Sequence, residues 1–506
     1  MSKLFKLLFR RAVITGLLVV VQLAIFISVA TWLKDYSIYI NIFFYLLSAV
    51  MIVYIISSKS ENMQLKLPWI VLIALFPAFG SVCYYLFNEN NMRKKFVKNL
   101  SKQSYSIKDI TSPMKTDEKQ FDDIRVYKQS DYIFESCGMP VYKNTSTKYF
   151  EIGELYYESL LEELRKAEKF IFIESFIISE GVMWESVLDI LKQKAKENVE
   201  VRLMYDDWGT IQNLPHKYNK VIESYGIKCV VFNPLVPILS LRHNNRDHKK
   251  IIVIDGNIAY TGGINLADEY INKKIRFGHW KDSGILIKGD AVQNFTFMFL
   301  ESWHYYRDKE EDYKKYMPTI KESEDGYVQP YIDNPMDDKL VARNVYVNIL
   351  NDATRYVHIT TPYLIMDNEL TNAILSAARR NVNVEIITPY VPDKWYVHAV
   401  TRSFYMQLLK AGVKIYEYTP GFIHAKNVIC DDKIATVGTV NFDYRSLYHN
   451  YECGVWMYKT SVIEMMEEDF KNTKEISIEI NEKMMVKTPF LKRIISEVLK
   501  FFSPIL

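Results

Sequence analysis

The chain is short of the residues that build several familiar kinds of site. Its five cysteines (Cys83, Cys137, Cys229, Cys430 and Cys453) are scattered, odd in number and never spaced Cys-x-x-Cys. That argues against a disulfide framework and against a zinc site, and leaves buried small hydrophobes as the reading. Net charge is also scant. The 63 Lys and Arg against 60 Asp and Glu leave +3, which gives no support to nucleic-acid binding by bulk electrostatics. No carboxylate or His/Cys cluster stands out as a ligand set, so neither metal nor cofactor is expected. What the chain does have is length, 506 residues, enough for two or three domains with sizeable cores. Its apolar residues are unevenly spread, and many crowd into the first 90 positions.

Three apolar stretches come first: Ala12 to Leu33, Ile38 to Ser57 and Pro68 to Phe87. Each approaches the ~20 residues a helix needs to cross a hydrocarbon core. Ser28-Val29-Ala30 offers small residues near the end of the first, yet its run is long for a signal peptide and two more stretches follow at once, which favours anchoring helices. The link Lys34-Asp35-Tyr36-Ser37 is short enough to make the first two a hairpin. Lys3, Lys6, Arg10 and Arg11 favour an inside N-terminus, while Arg93, Lys94, Lys95 and Lys98 favour an inside end for the third stretch. Three full spans cannot satisfy both, so Pro68, Pro77 and Gly80 mark the third as kinked, interfacial or re-entrant. The expectation is a multi-pass protein of the cell membrane, with the bilayer as partner and the soluble part on the cytoplasmic face.

From about residue 135 helix and strand patterns alternate, and they do so twice. Lys169 to Glu174 is predicted as a buried strand, Trp184 to Lys196 as a helix and Val199 to Tyr205 as a strand. Tyr356 to Thr360, Glu369 to Arg380 and Val382 to Ile387 repeat that order at a nearly constant offset, the mark of an internal repeat. Within it an octapeptide recurs. His248-Lys249-Lys250-Ile251-Ile252-Val253-Ile254-Asp255 and His424-Ala425-Lys426-Asn427-Val428-Ile429-Cys430-Asp431 both read His-x-Lys and then an Asp, and both run on into Gly-x-x-Asn, at Gly262 to Asn265 and Gly438 to Asn441. Each His-x-Lys opens an apolar strand. Alternation puts the histidine and the lysine, two apart, on one face.

These residue types suit phosphoryl transfer. A phosphodiester resists nucleophiles until its nonbridging oxygens are neutralised, and it needs a proton for the departing alkoxide. Lys250 and Lys426 supply positive charge, and Asn265 and Asn441 can donate amide hydrogens to the same oxygens. A neutral imidazole can attack phosphorus and form a phosphohistidine, while the opposite imidazolium protonates the leaving group. One such motif would be unremarkable; two at equivalent places in a repeat, each with its Asn, suggest a whole site. Asp255 and Asp431 are catalytic candidates, with a turn role as the alternative.

The doubled motif resembles the phospholipase D superfamily. Phe277 to Asp282, Pro420 to Ile423, Asn441 to Ser446 and Tyr205-Asp206-Asp207-Trp208-Gly209, with the apolar N-terminus, look like the bacterial cardiolipin synthases within it. The resemblance implies an α/β fold in which tandem phospholipase D-like repeats form a pseudo-twofold, bilobal catalytic domain behind a transmembrane helical region. It implies transfer of a phosphatidyl group between two molecules of phosphatidylglycerol. His248 and His424 then become nucleophile and acid/base, with attack assigned to His248. Lys250, Lys426, Asn265 and Asn441 hold the phosphate, and Glu452 and Asp282 orient the histidines. The superfamily often has Ser in the second place of Gly-x-x-Asn, where this chain has Gly263 and Thr439, so the halves are not equivalent. A hydrolase with the same site, or another phosphatidyltransferase, is the alternative.

The expected organisation is anchoring helices over 1–90, a linker over 91–134, a first half over 135–320, a linker over 321–338, a second half over 339–486 and an amphipathic C-terminal helix over 487–506. In that helix Phe490, Leu491, Ile494, Ile495, Val498, Leu499 and Phe502 follow helical spacing, with Lys492, Arg493 and Lys500 between them. It reads either as a helix lying on lipid or as one docked on the protein core.

Overall fold

The structure is a computed structural model. It describes residues 37–58, 63–76, 80, 81, 84 and then 107–504, without 235–244, 308–311, 338 and 488. The chain divides into two compact units, one formed by Met1–Phe96, Asn233–Asn245 and Pro504–Leu506 and the other by Val97–Phe232 and Arg246–Ser503.

In the first unit, helices run over Ser37–Ser57 and Met63–Leu75. The stretch Ala12 to Leu33 lies outside the described residues. Of the expected third span, Pro68 to Leu75 belong to the helix Met63–Leu75, with Pro68 inside it, and most of 77–87 lies outside the described residues. Among the described residues no helix is long and apolar enough to cross a membrane, so the expected set of spanning helices is not found there.

The second unit holds two mixed sheets. The strands of the first are β1 (Thr145–Phe150), β2 (Phe170–Ser175), β3 (Glu200–Asp206), β4 (Lys228–Phe232), β5 (Ile251–Ile254), β6 (Ile258–Gly262) and, after the short β7 (His279–Lys281), β8 (Gly284–Gly289). Their order across the sheet is β1-β8-β6-β5-β2-β3-β4. The chain continues through β9 (Tyr327–Asp333), β10 (Tyr356–Thr360), β11 (Leu364–Ile365), β12 (Asn383–Pro389), β13 (Lys414–Tyr418), β14 (Gly421–Ile423), β15 (Asn427–Cys430), β16 (Ile434–Gly438), β17 (Phe442–Asp443), β18 (Glu452–Tyr458) and β19 (Ser477–Ile480). The second sheet, read from its other edge, is β9-β18-β16-β15-β10-β12-β13-β19. Strand for strand it repeats the first, with β19 added, so the repeat is one of topology as well as of sequence.

Each half joins its parallel strands through helices, as parallel pairing demands. Val182–Lys196 links β2 to β3, and Asn368–Arg379 links β10 to β12. Met183, Trp184, Val187, Leu188 and Leu191 recur at three- and four-residue spacing and are buried, the stripe that holds such a helix to a sheet. Two further helices tie the halves together. Val292–Arg307 follows β8 and reaches β9 of the second sheet, while Val462–Glu475 follows β18 and reaches β1 of the first.

The linker expected over 321–338 contains β9, seven buried residues paired antiparallel with β18. Its Pro330 misled the sequence reading. A proline suits this strand because β9 is the last of its sheet, and its outer side carries an isolated bridge, Tyr142 to Val328, in place of a full ladder. The linker expected over 91–134 likewise holds most of the helix Ile124–Cys137, capped by Asp123 and closed by Gly138 in the left-handed region.

Asp255 and Asp431, catalytic candidates with a turn role as the alternative, bind backbone amides as that alternative expects. Each ends its strand with φ of 55°, a conformation that Asp tolerates better than most residues. The Asp255 carboxylate accepts from the backbone N–H of Glu168, Lys169 and Phe170 at 2.7 to 2.9 Å. Asp431 accepts from those of Thr354, Arg355 and Tyr356 at 2.8 Å. These are the three amides that lead into β2 and β10, at the strand end away from the histidines. Asp255→Ala and Asp431→Ala should each lower unfolding free energy by about 1–3 kcal/mol, measured by urea titration. The protein that remains folded should keep turning over, and intact stability with lost turnover would restore the catalytic reading.

Candidate active site

The two His-x-Lys motifs, residues 248–250 and 424–426, lie directly before β5 and β15, and the segment that holds each pairs with the opposite half. His248 N donates to Tyr451 O at 2.9 Å, and Tyr451 N to Arg246 O at 2.8 Å. On the other side β14 pairs in parallel with β7, and His424 N donates to Lys281 O at 2.7 Å. Tyr451 and Lys281 are the residues just before Glu452 and Asp282. Main-chain pairing therefore sets each histidine beside a carboxylate of the other half.

The side chains complete that arrangement. His248 Nδ1 lies 2.9 Å from Glu452 Oε2, and His424 Nδ1 lies 2.6 Å from Asp282 Oδ2. A carboxylate on Nδ1 draws the proton there and leaves the Nε2 lone pair outward, the tautomer a nucleophile or base requires. Phe176 packs on His248, and Tyr270, Trp280 and Phe422 surround His424, with centroids 5.0 to 5.9 Å apart. These walls keep the rings nearly dry.

Burial dominates the electrostatics. It pushes the His248 imidazole below its ordinary range against the opposing pull of Glu452. Burial and then Lys426 push His424 down to about 3. Burial also takes Lys250 to about 8 and Lys426 to about 7. Burial alone would raise the Glu452 and Asp282 carboxyls, but the facing histidines and neighbouring lysines hold both below the usual carboxylate range. Lys426 acts on His248, and Lys250 on His424, so the two motifs share one electrostatic environment. The ammonium groups have little competition for their charge. Lys250 donates to the His248 carbonyl at 2.7 Å and Lys426 to that of His424, which leaves further hydrogens on each for an anion.

The other expected residues divide. Asn265 is occupied: its Oδ1 accepts from Ile177 N at 3.0 Å and its Nδ2 donates to the Tyr270 hydroxyl at 2.6 Å. Asn441 is buried with its Oδ1 unpaired. Gly263 and Thr439 now have a physical reason. A Cβ on Gly263 would lie 2.0 Å from Asp282 Oδ1, whereas the Thr439 hydroxyl donates to Glu452 Oε2. The shorter carboxylate sits where a side chain would be, and the longer one is held by a hydroxyl.

Sequence reasoning missed Phe176 and Tyr270, which no short pattern marks. It also missed what Lys249 does. Alternation turns this side chain away from His248 and Lys250, into fully buried contacts with Glu174 Oε1 at 2.7 Å, Asp247 Oδ1 at 3.2 Å and Ser302 Oγ at 2.8 Å. A lysine at the variable place of His-x-Lys was the available signal. Among the described residues no group of three or more His, Cys, Asp or Glu side chains could hold a metal ion.

Known proteins resemble this chain over most of its length. A family model for the phospholipase D-like domain of cardiolipin synthase matches residues 160–302 and 346–474, and one for a phospholipase D-nuclease N-terminal region matches 46–87. An uncharacterized protein of Streptococcus mutans is 42% identical over 90% of this chain and 99% of its own. A cardiolipin synthase of Alkalihalophilus pseudofirmus is 32% identical, covering 91% of this chain and 92% of its own. Cardiolipin synthase 2 of Bacillus anthracis is also 32% identical, covering 91% and 90%. Among solved structures, phosphatidylserine synthase of Haemophilus influenzae aligns with TM-score 0.56 at 14% identity, over 75% of this chain and 98% of that one, a likeness of fold.

Two outcomes follow from the site. The lysines lose their protons as pH rises through about 7 and about 8, so they attract an anion best below that range. A non-hydrolysable phosphodiester analogue, itself a monoanion throughout, should bind about tenfold or more weaker at high pH than at low pH across this window. Calorimetry showing flat affinity would refute the assignment. Gly263→Ala should displace the Asp282 carboxylate and cut kcat about 10²-fold or more, as Asp282→Asn should too; near-parent kcat in a stably folded Gly263→Ala protein would contradict the packing.

Proposed function

The chain belongs to the cardiolipin synthase family of phospholipase D-like proteins and is a phosphatidyltransferase. From that premise we propose that it joins two molecules of phosphatidylglycerol into cardiolipin and glycerol through a phosphohistidine. The observation that carries this reading is the crossed pair of histidine–carboxylate contacts, with a buried lysine beside each histidine.

In the first step His248 Nε2 forms a bond to phosphorus, and the bond from phosphorus to the headgroup glycerol oxygen breaks. His424 gives its proton to that oxygen, and glycerol leaves. Lys250, Lys426 and the Asn441 amide offset the charge that gathers on the nonbridging oxygens. In the second step the terminal hydroxyl of another phosphatidylglycerol attacks phosphorus, His424 takes the hydroxyl proton, and the nitrogen–phosphorus bond breaks to free His248.

Attack is given to His248 because burial favours its neutral imidazole and Glu452, which opposes that, divides its charge among His248, Thr439 and Asn450. Asp282 holds His424 in the shorter contact, better suited to an imidazolium. Burial and then Lys426 push the His424 imidazole down; a bound phosphodiester offsets the lysine part of that push and brings negative charge beside the ring, so that His424 carries the proton in the loaded site.

The lipid substrate also accounts for the N-terminal region. The proposal places the enzyme at the cell membrane with its apolar N-terminal stretches as multi-pass anchors and its catalytic halves on the cytoplasmic side. Supporting it, the helix Ser37–Ser57 leaves Ile42, Phe43, Leu46, Val50 and Val53 exposed, and basic residues bracket the apolar region.

Purified protein given phosphatidylglycerol alone in vesicles should produce cardiolipin and glycerol in equal amounts; phosphatidic acid as the main product would make it a hydrolase. His248→Asn and His424→Asn should each lower turnover about 10³-fold or more. In His424→Asn, slow labelling by phosphatidylglycerol should place the phosphoryl group on the peptide containing His248, and a label on His424 in the His248→Asn protein instead would reverse the roles.

A further inference from the structure

The C-terminal helix Phe490–Phe502 sits the wrong way round for a helix docked on a core. Phe490, Leu491, Ile494, Ile495, Val498 and Phe502 share one face at helical spacing, and Lys492, Arg493, Ser496, Glu497 and Lys500 fill the other. The helix packs along Trp395–Lys410, and its polar side takes part in that contact. Lys500 Nζ stands 4.2 Å from the Phe404 ring centroid, and Ser496, Leu499, Lys500 and Phe501 are its half-buried residues. The six apolar side chains named above are all exposed, from 40% at Ile495 to 77% at Phe490, and no residue of the helix is buried.

A contiguous apolar face left in water marks an interaction surface. A bilayer interface suits this one, because apolar side chains can enter the headgroup boundary while flanking lysines and arginines reach the headgroup phosphates. We propose that this helix lies on an anionic lipid bilayer and holds the catalytic halves at the surface that supplies their substrate. Charge argues for lipid over a second copy of the chain. Five basic residues stand against two acidic ones from Glu482 to Lys500, which an anionic surface attracts and an identical helix repels. The proposal rests on the lipid substrate inferred above.

The test uses the full chain carrying Ile494→Asp with Val498→Asp, and two presentations of phosphatidylglycerol. On a short-chain form dissolved as monomers, the variant should match the parent. On a long-chain form diluted into phosphatidylcholine vesicles, its rate should fall about tenfold. Equal loss on both presentations, or no loss on either, overturns the proposal. A second measurement needs no turnover: a polarity-sensitive dye on Ile495→Cys should shift to the blue in vesicles containing phosphatidylglycerol and not in phosphatidylcholine alone. A shift that instead follows protein concentration without lipid overturns the proposal in favour of a protein cover. If the parent makes no cardiolipin from either presentation while the dye still enters anionic vesicles, the functional reading fails and the helix assignment stands.

Discussion

The site depends on one exchange between the halves. Each histidine is held at Nδ1 by a carboxylate that its own half does not supply, Glu452 for His248 and Asp282 for His424. Neither half could make a usable imidazole alone. The exchange is set by backbone before side chains enter, since the segments leading to the histidines bond to Tyr451 and Lys281. The same crossing governs the outer layers, where the helices after β8 and β18 reach β9 and β1, edge strands of the other half. Other polar contacts reinforce the seam: Tyr149 and Lys281 both reach Asp469, and Ser283 meets Asn427.

Seating two imidazoles and two ammonium groups in an aromatic-walled interior is costly, and the site turns that cost to use. Desolvation keeps the imidazoles unprotonated and weakens the lysines' hold on their protons. An anion arriving there meets donors poorly satisfied by the protein and little water to screen them. Near-symmetry does not extend to identity. Gly263 gives room to an aspartate, Thr439 ties down a glutamate, and Asn265 is tied into local structure while the Asn441 oxygen is not. Such differences allow one imidazole to attack while the other handles the proton.

Much of this was legible in the chain. The recurrent octapeptides, the alternation that puts His and Lys on one face, and the offset between repeats together pointed to a bilobal α/β domain and to the residues that meet in its centre. The boundaries were harder. Lys321 to Asp338 reads as a linker because it is polar, of low periodicity and holds Pro330 and Pro335, and only the sheet order reveals β9 within it as an edge. Asp255 and Asp431 recur with the motif and read from sequence as either catalytic or turn residues; only the fold shows their carboxylates on the backbone leading into the neighbouring strand.

The sequence by itself determined the chemistry, because residue type and two-residue spacing settle which groups share a face and what those groups can do. It also determined the repeat, because each half's hydrophobic pattern encodes the same sheet. Only the tertiary structure decided which carboxylate serves which histidine, since that choice spans 204 residues in one case and 142 in the other, and local pattern carries no information at such range. Burial too was decided there. The charge state of His424 follows from burial and the neighbouring Lys426, and the aromatic walls around it, Tyr270, Trp280 and Phe422, come from both halves of the chain.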